Sequence, residues 1–127
     1  MLNTEGCFAV LIMGTDGIAV ERVGQRAESE EASFEIAAAE YTSLLKNANR
    51  INGDLKIGRL REMTISTEKA IFIMRFVGQD YFLAMALSPE GNFGRARYEL
   101  QCAELLLEKE LVLWTKKLKY PLFLSGF

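Results

Sequence analysis

The 127-residue chain contains no histidine, only two cysteines and two prolines, and a single tryptophan. Without histidine, neither a Ser-His-Asp nor a Cys-His arrangement can be built. Cys7 and Cys102 each stand alone in an apolar context. With no C-x-x-C pair and no histidine, they cannot supply the four ligands of a structural zinc. They read as two buried free thiols in a reducing compartment, not as a disulfide. Neither sign of charge dominates: 15 basic residues face 17 acidic ones, for a net charge of −2. A general nucleic-acid binder shows a basic excess that is missing here. No apolar run reaches the roughly 18 residues of a membrane span. The opening MLNTEGCF has neither the basic region nor the apolar segment of a secretory leader. No G-x-x-x-x-G-K-[ST] loop is present, so the chain is not itself a P-loop GTPase. The expectation is a cytoplasmic protein with no cofactor, no metal and no nucleic-acid partner.

Half of the residues are apolar and a quarter are charged, which fits one soluble domain with a real core. CFAVLIM (7–13) is a short apolar run bounded by glycines and reads as a strand covered on both faces. Asp16-Gly17 signals a hairpin turn, because both residues of a tight turn must accept φ > 0. IAVERV (18–23) then forms a more exposed strand. Ser29 is a candidate N-cap for a helix reaching about Arg50, with Glu30 and Glu31 in its first turn. Phe34, Ala38, Tyr41, Leu45, Ala48 and Ile51 give that helix one apolar face, and Gly53 is the expected C′ residue. Residues 57–67 alternate as a strand with one wet face. Residues 70–77 and 81–87 are nearly continuous apolar strands. After the breaker SPEGN, a last helix is expected from about Gly94 to Leu113, with Ala96, Leu100, Ala103, Leu107 and Leu111 on one face. The order is ββαβββα, an α/β (α+β) three-layer architecture. Its five-stranded, mainly antiparallel sheet should carry helices on both faces, the apolar strands central and 18–23 and 57–67 at the edges.

The stretch GNFGRARYEL (91–100) sets a puzzle. A helix N-terminus favours acids, yet Arg95 and Arg97 sit near its start. The stretch lacks the Lys-Ser/Thr end of a phosphate loop. Asn92 is the expected cap, Gly91 and Gly94 allow a sharp turn, and Arg97 is expected to pair with Glu90 or Glu99.

In this order, with VLIMGTDGIAV and ALSPEGNFGRARYEL as markers, residues 6–113 resemble the Roadblock/light-chain-7 domain, a profilin/longin-like architecture. The resemblance implies a non-catalytic dimer in which the central helix packs on its mate and the third strand pairs edge to edge. It further implies a platform for a small Ras-like GTPase, in some relatives stimulating hydrolysis by reorganising the GTPase's own residues. The partner copy is then the chain itself or a paralogous Roadblock protein. Many relatives begin with a helix before the first strand, where this sequence has only MLNTE. The bare sheet face implied by that difference would be covered by the apolar tail 114–127, through Leu118, Tyr120, Leu122, Phe123 and Leu124, or by a partner.

The residues agree with pairing. An open strand bearing MTIS is a pairing hazard, and a two-fold axis suits Arg61 and Glu62 as self-complementary charges. Arg61, Glu62, Met63, Thr64 and Ile65 are therefore the candidate strand interface. The first helix is apolar beyond one stripe, which assigns Ile36, Ala39 and Leu44 to a partner helix. Asp16, Gly17, Asn92, Gly94 and Arg97 are the candidate turn and cap residues. Acidic clusters at Glu28, Glu30, Glu31 and Glu35, and at Glu104, Glu108 and Glu110, read as solvated helix faces. Two other readings are carried: a structural adaptor or ligand-sensing dimerisation module without a GTPase partner, and lipid contact through KKLKYPLFLSGF, which its shortness and Pro121 disfavour.

Overall fold

In the computed structural model the elements are β1 (Cys7–Gly14), β2 (Ala19–Gly24), α1 (Glu28–Asp54), β3 (Glu62–Ser66), β4 (Ile71–Val77), β5 (Tyr81–Leu87) and α2 (Phe93–Leu124). The structure describes the backbone of residues 6–24 and 28–124, and side chains within 6–24 and 33–109. The five strands form one sheet in the order β2-β1-β5-β4-β3, with every neighbouring pair antiparallel. The expected central and edge strands hold those places.

The pleat sorts side chains into two cores. Leu11, Ala84, Met74 and Met63 form one cross-strand row, beneath Phe34, Ala38 and Leu45 of α1. The next row, with Val10, Met85 and Ile73, faces Ala96 and Leu100 of α2. Successive strand residues point to opposite faces, so apolar strands must be covered twice. On the α1 side, the Phe72 ring of β4 stacks on Phe34 at 5.6 Å and 5°, and meets Tyr41 at 5.6 Å in a tilted arrangement.

Several boundaries differ from the sequence expectation. The β1–β2 turn is a three-residue loop, not a two-residue one. Gly14 and Ile18 bracket it through a 2.9 Å Gly14 N–H to Ile18 O bond, and only Gly17 takes a positive φ, 86°. Asp16 Oδ1 instead accepts from the Ile18 N–H at 3.0 Å, closing an Asx turn. Helix α1 begins at Glu28, so Ser29 is inside the helix and a capping residue would fall at 25–27, outside the described residues. Ile51 is exposed. Six residues after the buried Leu45, its direction differs from that of Leu45 by about 120° round the helix at 3.6 residues per turn. Gly53 is helical. The helix ends at Asp54 and the chain leaves it through Lys56, with φ 58°, where Ile57 N–H reaches Asn52 O at 3.0 Å and Lys56 N–H reaches Gly53 O at 3.1 Å. That is the Schellman pattern with lysine in the left-handed position usually held by glycine.

Strand β3 is only five residues long. Gly58 at φ 101° breaks extension, and Asn49 of α1 accepts from the Leu60 N–H at 2.9 Å, tying Leu60 to the helix; bonding to β4 resumes at Arg61, whose carbonyl accepts from the Phe76 N–H at 3.2 Å. Helix α2 continues past the expected end at Leu113 to Leu124. The side chains of the tail from residue 114 onward lie outside those described, so its expected cover of the sheet falls there too. Among the described residues, no helix is long and apolar enough to cross a membrane.

Two measurements follow from this packing. A left-handed non-glycine residue costs about 1–2 kcal/mol, and glycine returns part of that as lost chain entropy. Lys56→Gly is expected to stabilise the fold by about 0.5–1 kcal/mol in urea unfolding. Burial pushes the Cys7 thiol above its ordinary titration range, whereas Cys102 is half-buried. A thiol reagent at pH 8 should label Cys102 in the folded protein and Cys7 only on unfolding; equal native labelling would contradict this packing.

Candidate functional site

Glycine matters where β1 enters the sheet. A Cβ on Gly6 would lie 2.5 Å from the Gly91 Cα, so two backbones touch there, and the Ser88 N–H donates to Gly6 O at 2.9 Å. This contact sets the chain leaving β5 and places the start of α2. Asn92 Oδ1 accepts from the Arg95 N–H at 3.0 Å, the geometry of an N-cap. Gly94 takes no positive φ and has nothing but Asn92 Oδ1, at 3.9 Å, near where a Cβ would stand.

The two arginines that follow have different partners. Arg95 reaches Glu99 at 2.7 Å, one turn on. Arg97 pairs with neither Glu90 nor Glu99: its Nε lies 2.8 Å from Oε2 of Glu62, on the edge strand. Sequence separation hid this pair, because only the sheet order brings β3 beneath α2. The other Glu62 oxygen is 3.2 Å from Arg75 Nη1, on the directly opposed residue of β4. Arg75 Nε in turn contacts Glu104 of α2. The four side chains join β3, β4 and α2 through alternating charges. Glu62 and Arg75 are only 14 % and 13 % exposed, against 45 % for Arg97. Arg75 was not singled out by sequence, and Glu104, expected on a solvated helix face, is instead largely buried in its pair with Arg75. The only signal was one arginine inside the apolar run IFIMRFV. The network floors an open, polar groove of about 1170 Å3 that also includes Arg59, Arg61 and Glu108.

The remaining candidates divide between two places. Ile36 (65 % exposed) and Leu44 (51 % exposed) share an outer stripe of α1 with Ile51 and Leu55. Ala39 is elsewhere: it packs on the core, near Gly17 of the hairpin. Since Ala39 flanks β1–β2 and Tyr41 flanks β4, the outer stripe lies on the β3 side of α1. There β3 is the sheet's terminal strand. Its Met63 and Ile65 are half-buried against the α1 core, and Thr64 and Arg61 are exposed. Glu62 is engaged within its own chain, so a self-complementary Arg61–Glu62 pair would have to compete with Arg75 and Arg97. Among the described residues, no cluster of His, Cys, Asp or Glu is arranged to hold a metal ion.

Removing the central carboxylate leaves Arg75 poorly solvated with one partner, so Glu62→Gln should destabilise by about 2 kcal/mol. Arg97→Ala, at the wet end, should cost less, about 1 kcal/mol, because relief of the unfavourable helix-dipole contact offsets part of the lost pair. Equal losses in urea unfolding would show that the network is not graded by burial.

No family model matches the chain, and no curated protein matches it. Solved structures do. The crystal structure of MglC from Myxococcus xanthus is 35% identical, with 84% of this chain and 88% of that one covered at a TM-score of 0.60. The Roadblock/LC7 domain from Streptomyces avermitilis (14% identity, 87% and 89% covered, TM-score 0.73) and Myxococcus xanthus MglB (14% identity, 87% of each, TM-score 0.74) share the fold. With this element order, this sheet and a relative of that identity over most of both chains, the protein belongs to the Roadblock/LC7 domain family.

Proposed function

We propose that this protein is a dimeric, non-catalytic platform for a small Ras-like GTPase. The observation that carries the reading is the apolar stripe Ile36, Leu44, Ile51 and Leu55 lying on the same flank as the open edge of β3. A helix stripe of that kind wants a partner, and an unpaired strand edge offers ladder hydrogen bonds. Two copies related by a two-fold axis satisfy both at once: stripe against stripe and β3 against β3, with a ten-stranded sheet across the axis. The partner copy is the chain itself or a paralogous Roadblock protein. Family membership supports the GTPase as client. A solved MglB with a tetrameric arrangement is among the similar structures, so assembly of copies has a precedent in the fold.

Ile36 and Leu44 are exposed, so Ile36→Glu with Leu44→Glu should leave the fold intact. The double variant should weaken dimerisation about 100-fold or more, the effect of losing two anchoring side chains. Light scattering across a dilution series reads this, and an unchanged dimer would remove α1 from the interface. The client is tested by capture of a small Ras-like GTPase loaded with GTP or GDP. Binding of the GTP form by the wild type and its loss in the monomeric variant are expected; binding of neither form would favour the adaptor reading.

A further inference from the structure

Helix α2 is longer than the sheet that it covers. Glu108 accepts from the backbone N–H of Gly78 at 3.4 Å, in the turn that ends β4, so the helix has reached the far end of the sheet there. The continuation, residues 109–124, adds about 24 Å at 1.5 Å per residue. In its first half the face holding Ala96, Leu100, Ala103 and Leu107 packs on the sheet. The same three- and four-residue spacing continues in the sequence as Leu111, Trp114, Leu118 and Leu122, past the point where the chain's own sheet stops. The charged residues after Leu111 are Lys116, Lys117 and Lys119, with no acid.

The second unmatched surface lies beside the first half of α2. Val10, Ile12, Val23, Leu83 and Leu106 line an apolar groove of about 310 Å3 between α2 and β1–β2, and its single charged residue is Glu21. Val23 and Leu106 are 48% and 64% exposed there. The volume is at the lower end of the range for ligand sites, suited to a row of side chains from one helix face.

We infer that the overhanging end of α2 from one copy docks in the α2–β1–β2 groove of a second copy. Helix α2 is unbroken from Phe93 to Leu124, so the overhang leads away from the groove that its own first half helps to line. A second copy presents an apolar surface for the overhang's leucines and one carboxylate, Glu21, for its lysines. This contact lies on the sheet face opposite α1, so it adds to a dimer formed through α1 and β3 and does not compete with it.

The test mixes two full-length chains, both Cys102→Ser, one with Val23→Cys and the other with Leu118→Cys. Mild oxidation should form the mixed disulfide at least ten-fold faster than a control pair with Glu68→Cys, an exposed site on the β3–β4 turn, in place of Val23→Cys. Adding Leu106→Glu to the Val23→Cys chain should abolish that advantage. Formation no faster than the control overturns the inference. So does a doubly substituted single chain that closes on itself at a rate independent of concentration. Neither readout depends on the α1–β3 dimer, which is measured separately by dilution.

Discussion

Every residue of β5 from Phe82 to Leu87 is buried, and its side chains alternate between the two faces of the sheet. A strand of that kind tolerates water on neither side, so the fold needs a covering layer on each face and a paired neighbour on each edge. Strands β1 and β4 supply the edges, and α1 and α2 supply the layers. The element order makes this arrangement cheap in chain length. Helix α1 leaves from β2 at one margin and returns to β3 at the other, so it crosses the whole sheet. Helix α2 starts from the centre, beside β5, and can only run back along it.

This difference in entry point explains what is left over. A helix crossing the sheet obliquely buries one stripe and turns another toward the margin where it ends, which here is β3. A helix running along the strands is limited by strand length, and α2 is longer than any strand of the sheet. The α1 layer therefore keeps apolar side chains that its own sheet does not cover, Ile36, Leu44 and Ile51, and the backbone of α2 runs on beyond the end of the sheet. Both features arise from covering β5.

The central strands, the element order and the two helix faces were legible because each rests on a local period, two for strands and 3.6 for helices. CFAVLIM and YFLAMAL announce double burial without reference to anything distant. Boundaries were less legible. Gly53 looked like a helix stop, but the Schellman bonds close three residues later on a lysine, Lys56. Residues 57–61 looked like strand because their composition alternates, yet Gly58 turns the backbone away. Ala39 looked equivalent to Ile36 and Leu44 because apolarity alone does not say which way round a helix a residue points. The charged network was the least legible part. Its four members come from three elements, and no spacing in the sequence links Glu62 to Arg97.

That network also accounts for the arginine at the wrong end of a helix. A cation in the first turns of α2 costs about 0.3–1 kcal/mol against the helix dipole. The alternative is worse. Arg75 alone would face two carboxylates, Glu62 and Glu104, leaving one negative charge uncompensated at a site where Glu62 is 14 % exposed. Leaving such a group without its partner costs about 1–3 kcal/mol or more. Arg97 makes two cations for two anions, and its own exposure keeps its desolvation small. The dipole penalty is the smaller of the two, so the charge sits where the helix alone would not place it. The consequence reaches the edge strand: with Glu62 held by Arg75 of β4 and by Arg97 of α2, β3 is tied in register to β4 and to the helix that covers it.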